Sequence, residues 1–485
     1  MAVRTAESAR SAFPSVVLPF LVAGVVYLVA LSVGARLLND PDSYWHLIVG
    51  HWILDNGALP HVDSFSFSMR GTPWIAKEWL SQILYTFAYD EAGWPGMAIL
   101  AAGAAALAFG ILARFLSEEL TPLPVIVLCA GTWLVTSAHL LARPHVLALP
   151  LMVAWVGGLV RAVDRKRAPS LWLLPLMVLW ANLHGGFTFG IFMVGALALD
   201  AIVDAPAGTR RTAFLHWFAF GIAAVITGSL TPYGWQSMLV TKEILGLGDA
   251  LSIIGEWRPA DFSTVNGLEL ALLAGVGFAL WKGFVLRPVR ILILLGLIHM
   301  ALSHQRNGEL FGLLTPLILA APIARQFPQL AANEPANGHR VRLAALTGVL
   351  LLAALVPASV GLASIGNIRP ADAITPAAAV EAIQRANAGP VFNDYDFGGY
   401  LVYAGVPTFI DGRTELYGGD FTAAHHRAVT LADMSGLFAL LEKYRIGATL
   451  LSPATPAVQL LDRTPGWRRL YADDIAVVHI RDPIE

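Results

Sequence analysis

The chain has 485 residues, 56% of them hydrophobic and only 14% charged, with 32 basic against 34 acidic side chains and a mean hydropathy of +0.62. Soluble domains carry about 25% charged residues, so a soluble globular protein is excluded, and near-neutrality without a basic stripe excludes a nucleic-acid-binding surface. The single cysteine, Cys129, sits in an apolar run; it excludes an intrachain disulfide and cysteine-based zinc or iron–sulfur sites.

A helix needs about 20 mostly apolar residues to cross the hydrocarbon. Stretches free of Asp, Glu, Lys and Arg run over 11–35, 92–113, 120–142, 144–160, 168–199, 212–241, 270–281, 291–305, 310–324 and 343–368. The first lacks an Ala-x-Ala site and continues into Arg36-Leu37-Leu38, so it reads as a retained anchor. The stretch 168–199 contains Trp180-Ala181-Asn182-Leu183-His184-Gly185-Gly186, whose glycines break a helix. If the chain turns there, the clusters Arg4/Arg10, Arg114, Arg161/Arg165/Lys166/Arg167, Arg210/Arg211, Lys282/Arg287/Arg290 and Arg325/Arg340/Arg342 fall on one side. The positive-inside rule then sets about eleven spans with a cytoplasmic N-terminus and an outer C-terminus.

Between the first two spans, residues 39–91 form a long outer segment. Tyr44, Leu47, Ile48, Ile53 and Leu54 recur at helical spacing, with Asp42 set as the N-cap. Trp79, Leu80, Ile83, Leu84 and Phe87 repeat the pattern, so the segment predicts two interfacial amphipathic helices. After 368 charges return and apolar runs shorten. Pro390–Asn393, Thr408–Ile410 and Ala448–Leu451 read as strands, 431–445 as a helix and Trp467–Ile480 as a hairpin. The fold class is therefore a mainly α polytopic membrane domain over 1–368 followed by a small extracytoplasmic α/β domain over 369–485.

With that topology, Asp40, Asp42, His46, Asp63, Lys77, Glu78, Arg143, His145, Asn182, His184, Glu256, Trp257, His304 and Arg306 all fall on the outer face, while the inner loops hold little but Lys, Arg and a few acids. Ionisable groups near membrane depth are costly and default to function. Two carboxylates one residue apart, Asp40 and Asp42, can bind a divalent cation, or one can act as general base while the other holds it. His46 lies one turn after Asp42 on the same helix face. Arg143 and Arg306 suit bidentate grip of a phosphate or pyrophosphate. Such an acid–His–Arg assembly fits transfer from a phosphate-linked lipid, with base activation of a hydroxyl and stabilisation of the leaving phosphate.

These residues resemble a known family. Asp40-Pro-Asp-Ser-Tyr-Trp-His46, Asp63-Ser-Phe-Ser66, Glu78-Trp-Leu80, Trp180–Gly186, Leu230-Thr-Pro-Tyr-Gly234, Glu256-Trp257, Phe397-Gly-Gly-Tyr400 and Ile410-Asp-Gly-Arg413 look like a bacterial subgroup of the GT-C superfamily of integral-membrane glycosyltransferases, over about residues 36–480. The resemblance implies an inverting enzyme in the bacterial plasma (inner) membrane. Its partners would be a polyprenyl-phosphate-linked sugar donor and an outer-face lipid, glycan or protein acceptor. It implies Asp42 or Asp40 as base, or both as ligands of a divalent cation such as Mg or Mn, with Asp42 favoured because the dipole of the following helix holds it ionised. His46 and Glu78 join them as catalytic candidates; Arg143, His145, Asn182, His184, Glu256 and Arg306 are candidates for the donor phosphate and substrate. Asp-Pro-Asp departs from the adjacent acidic pair of several better-known members.

Blander roles compete. Asn182 and His184 can satisfy backbone freed at the helix break, and Asp411-Gly412-Arg413 reads most simply as a turn with a local ion pair. His139, His216 and His299 read as core histidines. A transporter or flippase, and a scaffold displaying the C-terminal domain, are the rival functions. The first would show inverted repeats and paired broken helices, and the second has no need of an acid–His–Arg assembly.

Overall fold

The computed structural model describes residues 2–239, 246–332 and 338–482. The protein is a mainly α polytopic membrane protein with a small C-terminal sheet. Among the described residues before 368, its longer helices are α1 (Ala2–Ser32), α2 (Asp42–Asn56), α3 (Trp79–Leu116), α4 (Pro122–Thr136), α5 (Pro144–Asp164), α6 (Leu174–Leu183), α7 (Phe187–Asp204), α8 (Arg210–Gly228), α9 (Gly267–Lys282), α10 (Pro288–Ser303), α11 (Gly308–Gln326), α12 (Gly338–Ala353) and α13 (Leu355–Ile365). Every apolar stretch read from the sequence holds at least one of them. Among the described residues, six helices are long and apolar enough to cross a membrane, and shorter apolar helices accompany them. Proline opens α4, α5 and α10, where a missing N–H costs nothing.

The helix pair expected around the two glycines is present. His184 is extended (φ −161°, ψ 141°) between α6 and α7, and the Trp180 ring lies against Gly190, which folds the two helices side by side. The Trp155 indole of α5 donates to the Gly190 carbonyl at 2.9 Å and ties that hairpin to the bundle. Ions hold one end of the bundle. Arg290, 1% exposed, donates to Asp164 at 2.7 Å and Asp200 at 2.9 Å, and Arg287 joins Asp200 to Asp204 at 3.0 and 2.6 Å. Those residues close α5 and α7 and open α10; Arg143 and His145, His184, and Arg306 sit at or just beyond the opposite ends of the same three helices.

Both helices expected within residues 39–91 form, but the first is covered by protein. On α2, Gly50 abuts the Gln82 carbonyl of α3, while Trp45, Val49 and Ile53 share an apolar core with Trp74 and with Phe392, Val402, Phe409 and Leu437 of the C-terminal segment. The second is the first part of α3, which kinks at Ala92 and Gly93 (φ 62°) just before Pro95. A proline cannot donate into the preceding turn, so the chain changes direction there.

The C-terminal sheet has the order β1 (Val391–Asn393), β2 (Ala448–Leu451), β4 (Val477–Arg481), β3 (Trp467–Ala472). Strands β1 and β2 pair in parallel, with Val391 opposite Ala448. The expected hairpin β3–β4 completes the sheet with a register shift between Arg469 and Tyr471. The helix read over 431–445 spans Met434–Lys443. Thr408–Ile410, read as a strand, is buried but makes only an isolated bridge to Ser66 of the outer segment. The Asn393 side chain takes the Phe409 amide at 2.9 Å, so these residues are fastened by a side chain and by the outer segment, not by a sheet neighbour.

Candidate active site

Helix ends, the loops beside them and the C-terminal segment converge on a cavity of about 1050 Å³. Its floor begins with Asp40-Pro41-Asp42. Asp40 Oδ1 accepts the Asp42 amide at 2.9 Å, a local turn in which a short carboxylate takes the N–H two residues on. That corrects the reading of Asp42 as N-cap: it is the first helical residue, and no side chain caps the helix through Asp42. Its carboxylate is thereby left for the cavity. Oδ1 accepts from the Trp45 indole at 2.9 Å and Oδ2 lies 2.8 Å from Arg143 Nη2.

Arg143 precedes Pro144 and is extended (φ −123°, ψ 160°), as a residue before proline must be. Its Nη1 reaches Asp40 at 3.2 Å and Glu256 at 2.9 Å. Glu256 continues to Arg306 at 2.9 Å. An alternating run of charge, Asp40 and Asp42 to Arg143 to Glu256 to Arg306, thus lines one wall. Arg306 lies 4.7 Å above the Trp257 ring. His304 Nδ1 donates to the Trp257 carbonyl at 2.7 Å and fixes that loop.

The same cavity holds a carboxylate between imidazoles. His184 Nδ1 is 3.1 Å from the Gly186 amide; an N–H only donates, so neutral His184 carries its proton on Nε2. That atom is 3.5 Å from Glu78 Oε1, and His46 Nε2 is 3.8 Å from Glu78 Oε2. His145 Nε2 donates to the His139 carbonyl at 3.1 Å and lies 3.4 Å from Glu309.

Burial and charge set the protonation of these groups. Burial, with the Asp40 charge beside it, pushes Asp42 up to about 7 against the pull of Arg143. Burial raises Glu78 above the usual carboxylate range. Burial would raise Glu256 too, but Arg143 and Arg306 outweigh it and hold it at about 2. Burial also drives His46 well below the usual imidazole range, with Arg143 and Lys77 adding to it, so His46 is neutral at pH 7. The site offers one carboxyl poised near neutrality, Asp42, beside another, Glu256, held as an anion.

Asp40, Asp42, His46, Glu78, Arg143, His145, His184, Glu256 and Arg306 all line the cavity. Asn182 does not. Its amide donates to the Val178 and Leu230 carbonyls at 2.8 and 3.0 Å, and its oxygen accepts from the Trp79 indole at 2.9 Å, so it serves the helix break. His139 and His299, read as core histidines, stand at the cavity wall, and His216 is exposed on α8. Sequence reasoning missed the C-terminal contribution: Tyr395, Asp396, Gly412, Thr414 and Glu415 also line the cavity. Glu415 binds Lys77 at 2.7 Å, with both side chains nearly buried. The Phe397-Gly-Gly-Tyr400 and Ile410-Asp-Gly-Arg413 patterns were the only sequence sign of this, and hydropathy gives no hint that they face the first loop.

Asp40 and Asp42 fit a guanidinium rather than a metal ion, because Arg143 already spans an oxygen of each. Among the described residues no group of three or more His, Cys, Asp or Glu side chains is arranged to hold a metal.

No family model matches the chain, and no curated protein matches it. Solved structures do. ArnT from Cupriavidus metallidurans bound to undecaprenyl phosphate aligns with a TM-score of 0.50 at 15% identity, over 96% of this chain and 97% of that one. ArnT in the apo state gives 0.50 at 17% identity over the same shares. The archaeal oligosaccharyltransferase AglB from Archaeoglobus fulgidus, in complex with an inhibitory peptide and a dolichol-phosphate, gives 0.49 at 13% identity, over 89% of this chain and 69% of that one. The likeness to ArnT, running over nearly both full lengths, shows the fold: this chain shares the architecture of that structure.

Proposed function

We propose that this GT-C-fold chain is a membrane glycosyltransferase that moves a sugar from a polyprenyl-phosphate donor to an outer-face acceptor, with inversion. The observation that carries this is Asp42, a buried carboxyl at about 7 in the same cavity as two arginines. A base near the operating pH combines the right protonation state with a useful driving force. Asp42 takes the proton of the acceptor hydroxyl as its oxygen attacks the anomeric carbon. The bond from that carbon to the phosphate oxygen breaks, and polyprenyl phosphate leaves. Arg306, with Glu256 as its carboxylate partner, is the better phosphate ligand; Arg143, shared among Asp40, Asp42 and Glu256, is better suited to holding the acids. His46, Glu78, His145 and His184, which line the same cavity, are where sugar or acceptor hydroxyls would bind. The site end faces outward in the plasma membrane of a bacterium, with the basic helix ends inside. A divalent cation has no role in this reaction path, since Arg143 takes the place between the two aspartates.

Transfer by the purified protein in liposomes tests it, with a panel of radiolabelled polyprenyl-phosphate sugars. Wild-type turnover that Asp42→Asn abolishes, and that chelation leaves unchanged, is the expected result. Equal turnover by Asp42→Asn would remove Asp42 as base. No turnover with any donor, together with an unchanged cellular phenotype in Asp40→Asn and Asp42→Asn, would favour a transporter or scaffold.

A further inference from the structure

The turn Asp411-Gly412-Arg413 belongs to the C-terminal segment, yet it packs against the candidate base. A Cβ built on Gly412 would stand 1.7 Å from Asp42 Oδ1 and 3.1 Å from Oδ2. The backbone of Gly412 therefore lies directly against the carboxylate. A second glycine repeats the approach: a Cβ on Gly399 would stand 2.1 Å from the Pro41 carbonyl oxygen. The two motif glycines thus pack against successive residues of Asp40-Pro41-Asp42.

The turn is rigid for reasons visible around it. Asp411 accepts from Arg413 Nε at 2.9 Å and Nη2 at 2.6 Å, and from the Arg413 amide at 3.0 Å. Tyr417 donates to Asp411 at 2.9 Å. Arg413 Nη1 reaches Asp63 of the outer segment at 2.6 Å, and Asp63 is held by the Ser66 hydroxyl at 2.6 Å and by the Phe65 and Ser66 amides at 3.1 Å. The side chains of Asp63, Asp411 and Arg413 are wholly buried. Burying three ions to shape one three-residue turn is a poor way to gain stability, since apolar replacements of such groups are often neutral or better. It is a good way to fix a backbone atom relative to a neighbour.

We propose that the Asp411-Gly412-Arg413 turn positions Asp42 for proton transfer, closing the carboxylate on the side left by Trp45 and Arg143 and restricting it to one orientation. Gly412 is the contact and Arg413, braced by Asp63, the support. The C-terminal segment is then part of the catalytic apparatus without supplying the base. This rests on Asp42 being the base, as set out above, and concerns geometry rather than charge.

The test uses the full-length protein in liposomes with the same donor panel, comparing wild type, Asp42→Asn, Gly412→Ala and Tyr417→Phe. Binding of undecaprenyl phosphate is measured beside turnover, and carbodiimide labelling of carboxyl groups is mapped by mass spectrometry. Gly412→Ala inserts a methyl group where Asp42 sits, so the carboxylate must move by about an ångström. The expected result is a kcat lowered about 100-fold, with the donor KM and the amount of undecaprenyl phosphate bound per protein at wild-type values. Labelling of Asp42 rises severalfold while that of Asp396 and Glu415 stays constant. A purely structural role would instead lower bound lipid in step with kcat. Wild-type kcat and labelling in Gly412→Ala, with Asp42→Asn inactive, would overturn the positioning role and leave the base in place. An active Asp42→Asn would overturn both. If Gly412→Ala binds no lipid at all, Tyr417→Phe decides: losing one hydrogen bond under the turn lowers kcat about 2–10-fold at unchanged KM, and an unchanged kcat overturns the proposal.

Discussion

At the scale of single residues, the site works by giving chemically similar groups different surroundings. Asp42 and Glu256 both touch Arg143, yet burial lifts Asp42 to about 7 while two arginines hold Glu256 at about 2. The sign for activity follows. A base must be ionised, so the rate falls as pH drops through about 7 and is flat above it on this limb. A rate profile of liposome transfer between pH 5 and 9 checks this; a limb near pH 4 would show that Asp42 is not the titrating base. Most of these residue types were legible in the sequence, because charged and imidazole side chains beside apolar spans have few bland explanations. Their roles were less so. Asp42 was expected to cap its helix; it is instead the first helical residue, with its amide taken by Asp40 two residues upstream, which no spacing rule distinguishes. His139 and His299 were read as core because helical periodicity reports a face, not what the face looks into.

At the scale of elements, hydropathy located the spans and the two glycines located the break between α6 and α7, since both signals are local. The Asn182 prediction belongs here. This residue joins the end of α6 to the Leu230 carbonyl and to the Trp79 indole at the start of α3, so it holds three elements at one point. Asn182→Ala strands the Trp79 N–H and the Leu230 carbonyl, an effect of about 1–3 kcal/mol. A lower melting temperature in detergent, with undecaprenyl phosphate still bound at saturation, is the expected outcome; direct loss of lipid binding at unchanged stability would instead return Asn182 to the site. The kink in α3 was not foreseen, although Ala92-Gly93-Trp94-Pro95 carries its signal. The strand assigned to Thr408–Ile410 failed for a complementary reason: a short apolar run reads as a strand whether its backbone partners are a sheet neighbour or the Asn393 side chain.

At the scale of the whole molecule, the C-terminal segment and residues 39–91 share one apolar core and one buried ion cluster. That union was invisible in the sequence, because its contacts join residues 350 positions apart, as in Asp63 to Arg413. Arg413→Met leaves Asp63 and Asp411 buried without their cation, a loss of about 3–5 kcal/mol. Thermal unfolding of the full chain should show it as a large drop in midpoint, and Asp63→Asn/Arg413→Met together should recover part of it; a midpoint within a degree of wild type would mean that water reaches this cluster. The same long-range seam has a consequence for the timing of synthesis. At about 5–20 residues per second, roughly 20–70 s separate the emergence of Asp63 from that of Arg413. Throughout that interval α2 has no lid and Asp42 no neighbour from the far end of the chain. An interrupted polypeptide would carry helices α1 to α13 and still lack the Gly412 contact on Asp42, so under the proposals above its activity waits until the C-terminal segment has folded.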